Sequence, residues 1–180
     1  MRTVAGERRA RIVVRTTSRS ASRGEVQLGP LRMPCALGRA GTRAGKREGD
    51  GATPEGTWRL FEVRWRQDRC QRPRTGLPVR PLRADDGWCD APADRNYNRG
   101  VRHPYPASAE RLWRSDDLYN VIVVLGHNRR PRVRGHGSAI FMHLARPGFL
   151  PTEGCIALAE RDLRRLLALA QPGTRVVVGR

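Results

Sequence analysis

Only one stretch of this chain, from Leu163 to Ala170, sets its apolar residues at helical spacing. Leu163, Leu166, Leu167 and Ala170 fall on one face, Arg161, Arg164 and Arg165 are left for solvent, and Pro172-Gly173 stops the element. Elsewhere the apolar residues come in short runs, separated by turn-forming Gly and Pro, and such runs rich in β-branched and aromatic residues read as strands. The runs are Arg11–Arg15, Glu25–Leu28, Met33–Leu37, Trp58–Val63, Tyr119–Leu125, Ser138–His143, Ile156–Leu158 and Thr174–Val178. The pattern predicts a mainly β fold with one clear helix near the C-terminus. Ser108 to Leu118 is expected to add a short helical turn around Leu112 and Trp113. The glycine-rich run from Gly38 to Thr57 cannot be regular throughout, and it lacks the Gly-Lys-Ser/Thr of a phosphate-binding loop.

A chain of 180 residues fits one domain, 1–180, with enough length to bury a core. The segment 67–109 is polar, long and without clear periodicity, yet it contains Trp88, Tyr97 and Tyr105. Aromatics are costly to expose, so an ordered lid or rim is the expectation. The formal net charge is +18, nearly all of it arginine, because Lys46 is the one lysine. That charge suits any anionic polymer, including peptidoglycan with its free carboxylates. The arginines are scattered rather than gathered in a tract, so no nucleic-acid site is assigned; arginine bias also follows from gene base composition. The four cysteines, Cys35, Cys70, Cys89 and Cys155, include no C-x-x-C pair, which argues against a zinc ribbon, and neither metal nor cofactor is expected. A Cys70–Cys89 bridge is conceivable in an exported protein. The first residues lack an apolar core for a secretory signal, and no stretch is long enough to span a membrane as a helix.

Chemistry concentrates in Gly135–Leu158, GHGSAIFMHLARPGFLPTEGCIAL. A histidine, His143, ends one predicted strand. Pro147, Gly148 and Pro151 stiffen the loop that follows, and Thr152-Glu153-Gly154-Cys155 leads into the next strand. A thiol needs a base to act as a nucleophile near neutral pH, and imidazole has a suitable pKa. Gly154 permits a sharp turn that aims backbone N–H groups at a developing oxyanion. Taken singly, a cysteine on a strand is more often a small buried hydrophobe and a histidine more often structural. Their order and the intervening loop favour a catalytic pair. His127 and His136 sit in turn-like contexts and receive no role.

His143, Thr152, Gly154, Cys155 and Ile156 together resemble the active-site segment of the L,D-transpeptidase catalytic domain (YkuD type), in which a strand-ending His is followed by a loop and then Ser or Thr and Gly-Cys-aliphatic. DGATPEGTW, from Asp50 to Trp58, resembles that family's turn into a central strand. Glu153 stands where better-known members have His, and the His-to-Cys loop is shorter, which marks a divergent branch. The resemblance implies a β-sandwich-like domain of mixed sheets, with the 67–109 insertion capping the site. It implies a cysteine transpeptidase acting on peptidoglycan stem peptides, with Cys155 as nucleophile, His143 as base oriented through the backbone near Leu144, and the Gly154–Cys155 backbone as oxyanion holder. It also implies a location in the periplasm or cell wall.

From these premises Trp88 or Tyr97 is expected to wall the cleft, with pinning of the long loop to the core as the equal alternative, Arg102 or a neighbouring arginine to meet a substrate carboxylate, and Thr152 to belong to the substrate site. His143 and Cys155 are expected within hydrogen-bond reach, with looser geometry allowed in the absence of substrate, Glu153 to turn away and bond to an arginine or a backbone group, and the chain to be a monomer. Two rivals stand beside this reading: a carboxypeptidase using the same residues, and a non-enzymatic basic domain in which Cys155 is structural.

Overall fold

A computed structural model describes residues 11–179. The strands in chain order are β1 (Arg11–Arg15), β2 (Arg23–Leu28), β3 (Leu31–Ala36), β4 (Thr42–Arg43), β5 (Thr53–Pro54), β6 (Gly56–Trp65) and β7 (Val79–Pro81). They continue with β8 (Asp86–Cys89), β9 (Gly100–Arg102), β10 (Ala109–Arg111), β11 (Val121–Leu125), β12 (Phe141–Leu144), β13 (Ile156–Leu158) and β14 (Arg175–Val178). The helix α1 spans Glu160–Leu169.

The main sheet has the order β11-β12-β13-β3-β2-β1-β14-β6-β7, and β11 also pairs with β6, so the sheet curls and closes on itself. It is mixed: β12 runs parallel to β13 and β1 to β14, while most other neighbours are antiparallel. Closure leaves few open edges, which removes a route to edge-to-edge aggregation. The long strand β6 makes closure possible, because Gly56–Arg59 pair with β14 and Leu60–Trp65 pair with β11.

The strands form where side-chain alternation matches a face to be buried. In β1 Ile12 and Val14 are buried while Arg11 and Arg15 are exposed. β11, VIVVL, is buried at every position because both its faces are covered. Val121, Val123 and Leu125 join Met142, Leu144, Ile156 and Leu158 in the main core. Ile122 and Val124 face the other way, into a second cluster with Phe141, Cys155, Trp88, Leu112 and Tyr119. Helix α1 closes the main core with Leu163, Leu166 and Leu167. Glu160 and Asp162 in its first turn suit the positive helix end, and Arg164 Nε donates to Glu160 Oε1 at 2.8 Å.

The second cluster is roofed by a small sheet of order β10-β8-β9, drawn from the long polar segment and the residues just after it. Trp88 is 3% exposed there, donates from Nε1 to Asn98 Oδ1 at 2.9 Å and meets the Phe141 ring edge-on at 5.2 Å. Three expectations are corrected. Ala109–Arg111 is strand, not helical turn, because it pairs with Gly87–Cys89. Ser138–Ile140 lies outside β12, since Gly137 and Ala139 take positive φ values of 92° and 53°. No bridge joins Cys70 and Cys89: both thiols are free, and the Cys70 thiol donates to the Asn120 carbonyl.

Candidate active site

β12 and β13 are parallel neighbours with His143 beside Ala157 and Met142 beside Ile156. One residue before that register, Cys155 lies next to Phe141, so Cys155, Phe141 and His143 share the face turned away from the main core. The connection between the strands carries a 3-10 turn at Pro147–Phe149, which Arg23 Nη2 ties down by donating to the Gly148 carbonyl at 2.5 Å. Thr152 then anchors the turn into Cys155. Its N–H donates to the Leu37 carbonyl and its carbonyl accepts from Arg39 N–H, each at 2.8 Å. Its hydroxyl donates to the Cys155 carbonyl at 2.7 Å and accepts from Gly154 N–H at 3.1 Å. Gly154 has φ of 133°, and a Cβ there would stand 2.8 Å from the Ala52 carbonyl oxygen, so both backbone shape and space require glycine.

Cys155 and His143 open onto one cavity of about 520 Å³, whose lining also includes Lys46, Glu110, Tyr119, Ser138 and Thr152. Each of the pair has a backbone partner, and among the described residues they form no hydrogen bond to each other. The Cys155 thiol donates to the Ala139 carbonyl at 3.3 Å and accepts from Phe141 N–H at 3.4 Å. The thiol takes a backbone partner in place of the imidazole because the left-handed Ala139 presents its carbonyl to the sulfur. His143 Nδ1–H donates to the Leu144 carbonyl at 2.8 Å, which assigns the tautomer and leaves Nε2 as an acceptor.

Burial sets the charge state of both. It pushes the Cys155 thiol up to about 12, aided by the charge of Glu110 and opposed by Phe141 N–H and Lys46. It holds His143 down to about 4, opposed by the bond to Leu144. The resting pair is therefore neutral thiol and neutral imidazole, with Nε2 unprotonated at neutral pH.

Tyr119 and Glu110 complete the wall. The Tyr119 hydroxyl donates to Glu110 Oε1 at 2.5 Å, its ring lies edge-on to His143 at 5.2 Å, and the Arg114 guanidinium covers it at 5.2 Å. Desolvation raises both the Tyr119 phenol and the Glu110 carboxyl above their ordinary values. Ser138 is 7% exposed and its Oγ has no partner among the described residues. Lys46 is buried against Asp50.

Of the residues predicted from sequence, His143, Gly154, Cys155 and Thr152 come together. Trp88 lies behind Phe141 rather than in the cavity lining. Tyr97 is buried and reaches the cavity only through Glu48, to which its hydroxyl donates. Arg102 is outside the lining and paired with Asp85 and Asp86. The Glu153 carboxylate, at the cavity mouth, accepts from Arg39 Nε at 2.9 Å, the arginine pairing expected of it. Sequence reading missed Glu110 and Tyr119, which carry no local pattern, and Ser138, whose one signal was its place after Gly135 and Gly137. No group of three or more His, Cys, Asp or Glu side chains is gathered for a metal ion among the described residues.

Residues 9–178 match the family model of the YkuD L,D-transpeptidase catalytic domain. The chain belongs to that family. No curated protein matches it. Among solved structures it is similar to an L,D-transpeptidase from Mycobacterium smegmatis at 12% identity and a TM-score of 0.43, over 95% of this chain and 59% of that one. The chain thus spans somewhat less than two thirds of that relative. As an L,D-transpeptidase domain it is mainly β with mixed sheets and one helix near the C-terminus, as the sequence implied. No helix among the described residues is long and apolar enough to cross a membrane.

Proposed function

We propose that the chain is a cysteine L,D-transpeptidase that acts on peptidoglycan stem peptides outside the cytoplasm. The observation that carries this is the convergence of Cys155 Sγ and a neutral, oriented His143 on one cavity, behind a turn that only glycine can make. Substrate entry draws the thiol from the Ala139 carbonyl. His143 Nε2 takes the thiol proton as Sγ bonds to the acyl carbon of the donor's L-centre. Backbone N–H at the Gly154–Cys155 turn faces the oxyanion. The Gly154 N–H already serves Thr152 Oγ1, so the Cys155 N–H bears more of this task. The carbon–nitrogen bond to the leaving residue then breaks, and the imidazolium returns its proton to the departing amine. In the second half an acceptor amine attacks the thioester, His143 accepts its proton, and the released sulfur is reprotonated.

In this reading Thr152 belongs to the substrate wall, while Trp88 and Tyr97 act by supporting Phe141 and Glu48. Arg102 has no part in it. The test is mass spectrometry of purified muropeptides incubated with the protein, alongside intact-protein mass. A donor acyl adduct on the wild type that is absent from Cys155→Ala supports the reading. Cross-linked dimers assign transfer to an amine, and trimmed stems assign transfer to water by the same residues. No adduct and no product from any stem length would overturn it.

A further inference from the structure

Trp88, which packs against Phe141, also lines a second cavity of about 300 Å³, together with Arg64, Arg99, Arg129, Arg130 and Arg132. Glu62 is the one carboxylate in that lining. It is already taken: Arg64 Nε donates to it at 2.7 Å and Arg64 Nη2 stands 2.6 Å away. Arg64 is 6% exposed, lies over the Trp88 ring at 5.2 Å, and its Nη1 has no hydrogen-bond partner among the described residues. An unpaired donor on a buried cation is costly, so a small shift that lets an oxygen reach Nη1 would be favourable. Burial also holds Arg64 and Arg129 below the usual arginine value, with Glu62 opposing it in both cases.

We propose that this cavity is a binding site for a tetrahedral oxyanion of the phosphate class, with Arg64 at its base and Arg99 and Arg130 at its rim. Arg129 is stacked on Phe61 and Arg132 donates to the Tyr97 carbonyl, which leaves Arg64, Arg99 and Arg130, from three chain segments, for an acceptor with oxygens in several directions. Phosphate offers that, and a single carboxylate does not. The group comes either from free phosphate or from a phosphodiester in a polymer. The site is independent of the chemistry at Cys155.

The test follows the Trp88 indole N–H resonance during titration with sodium phosphate at constant ionic strength. Arg64→Gln risks the fold, so the variants are at exposed positions: Arg99→Gln/Arg130→Gln at the rim, and Arg161→Gln/Arg175→Gln as a remote control of equal charge loss. The wild type should show a saturable shift. The rim variant should bind about tenfold more weakly or worse, the loss expected when a charge-assisted hydrogen bond is removed. The control should match the wild type. Titration with dimethyl phosphate separates the sources, because comparable binding points to a phosphodiester and binding of inorganic phosphate alone points to the free ion. A shift that never saturates, or equal weakening in rim variant and control, would mean diffuse attraction to a cationic surface and would overturn the proposal.

Discussion

Acid should weaken this fold through His143, by an amount that the site fixes. The imidazole is 6% exposed and its pKa is held down to about 4 from an ordinary 6.5, chiefly by burial. The unfolded chain takes up this proton near pH 6.5 and the folded chain only near pH 4. Between those values the unfolded state binds more protons, so stability rises with pH. The contribution of the neutral ring is therefore complete above the unfolded pKa and lost as pH falls through the folded one. At about 1.4 kcal/mol per pKa unit, integration from neutrality down to pH 4 gives a loss of about 3 kcal/mol. Other groups also respond to acid, among them Glu110, whose carboxyl burial raises, so the measurement must be a difference. His143→Gln keeps a side chain able to donate to the Leu144 carbonyl and removes the titration. Urea unfolding of both proteins across this pH range isolates the effect. Whatever the wild type's advantage is at neutrality, it should shrink by about 3 kcal/mol at the acid end. A difference constant to within about 1 kcal/mol would show that His143 is not a buried neutral base, and the proton-transfer argument would fail with it.

Cys155→Ala should abolish the acyl-enzyme mass while leaving the thermal transition in place, and His143→Ala should slow acylation by roughly 10²–10⁴-fold in a stopped single-turnover assay. Gly154→Ala should cost about 1–3 kcal/mol in urea unfolding, because it pairs a left-handed backbone with a close approach to Ala52. Glu153→Gln should change stability by less than about 1 kcal/mol, since its bridge to Arg39 is exposed on both sides. Trp88→Ala should cost about 3–5 kcal/mol and lower the melting temperature, as expected for a buried aromatic and not for a surface specificity residue.

Local periodicity made most of the closed sheet readable. The β1, β2, β6, β11, β13 and β14 segments each carry a run that a half-buried or buried strand needs, and α1 alone carries a helical stripe. Ring closure was not readable, because it depends on β6 exchanging partners along its length, a tertiary choice with no local signature. Ser138–Ile140 looked like strand because Ala and Ile fit one. The backbone instead turns at Gly137 and Ala139, which gives Cys155 a carbonyl partner. At the site the nucleophile and base were visible because they flank one loop. Glu110 and Tyr119 were invisible because they meet the pair only after β8–β10 fold over β12. Trp88 and Arg102 show the opposite error: aromatic and charged residues in a long polar segment suggest a binding rim, whereas one builds the roof and the other pairs on its outer side.

The charge of the cavity departs from the charge of the chain. A formal +18 spreads over the whole sequence, yet this cavity sets Glu48, Asp90, Glu110 and Glu153 against Lys46, Arg114 and Arg146. On the proposed function, long-range attraction to an anionic polymer and local recognition are separate tasks: the surface would raise encounter, and the cavity would offer both signs to a peptide that carries both. Lys46 sharpens the point. In a chain that otherwise uses arginine for its cations, the one lysine is buried in this wall beside Asp50, where a Cβ on Gly137 would fall 2.8 Å from its Cγ. The Lys46 ammonium, a compact point charge, is held in that space by the Asp50 carboxylate. Its positive charge opposes the effect of Glu110 on the Cys155 thiol.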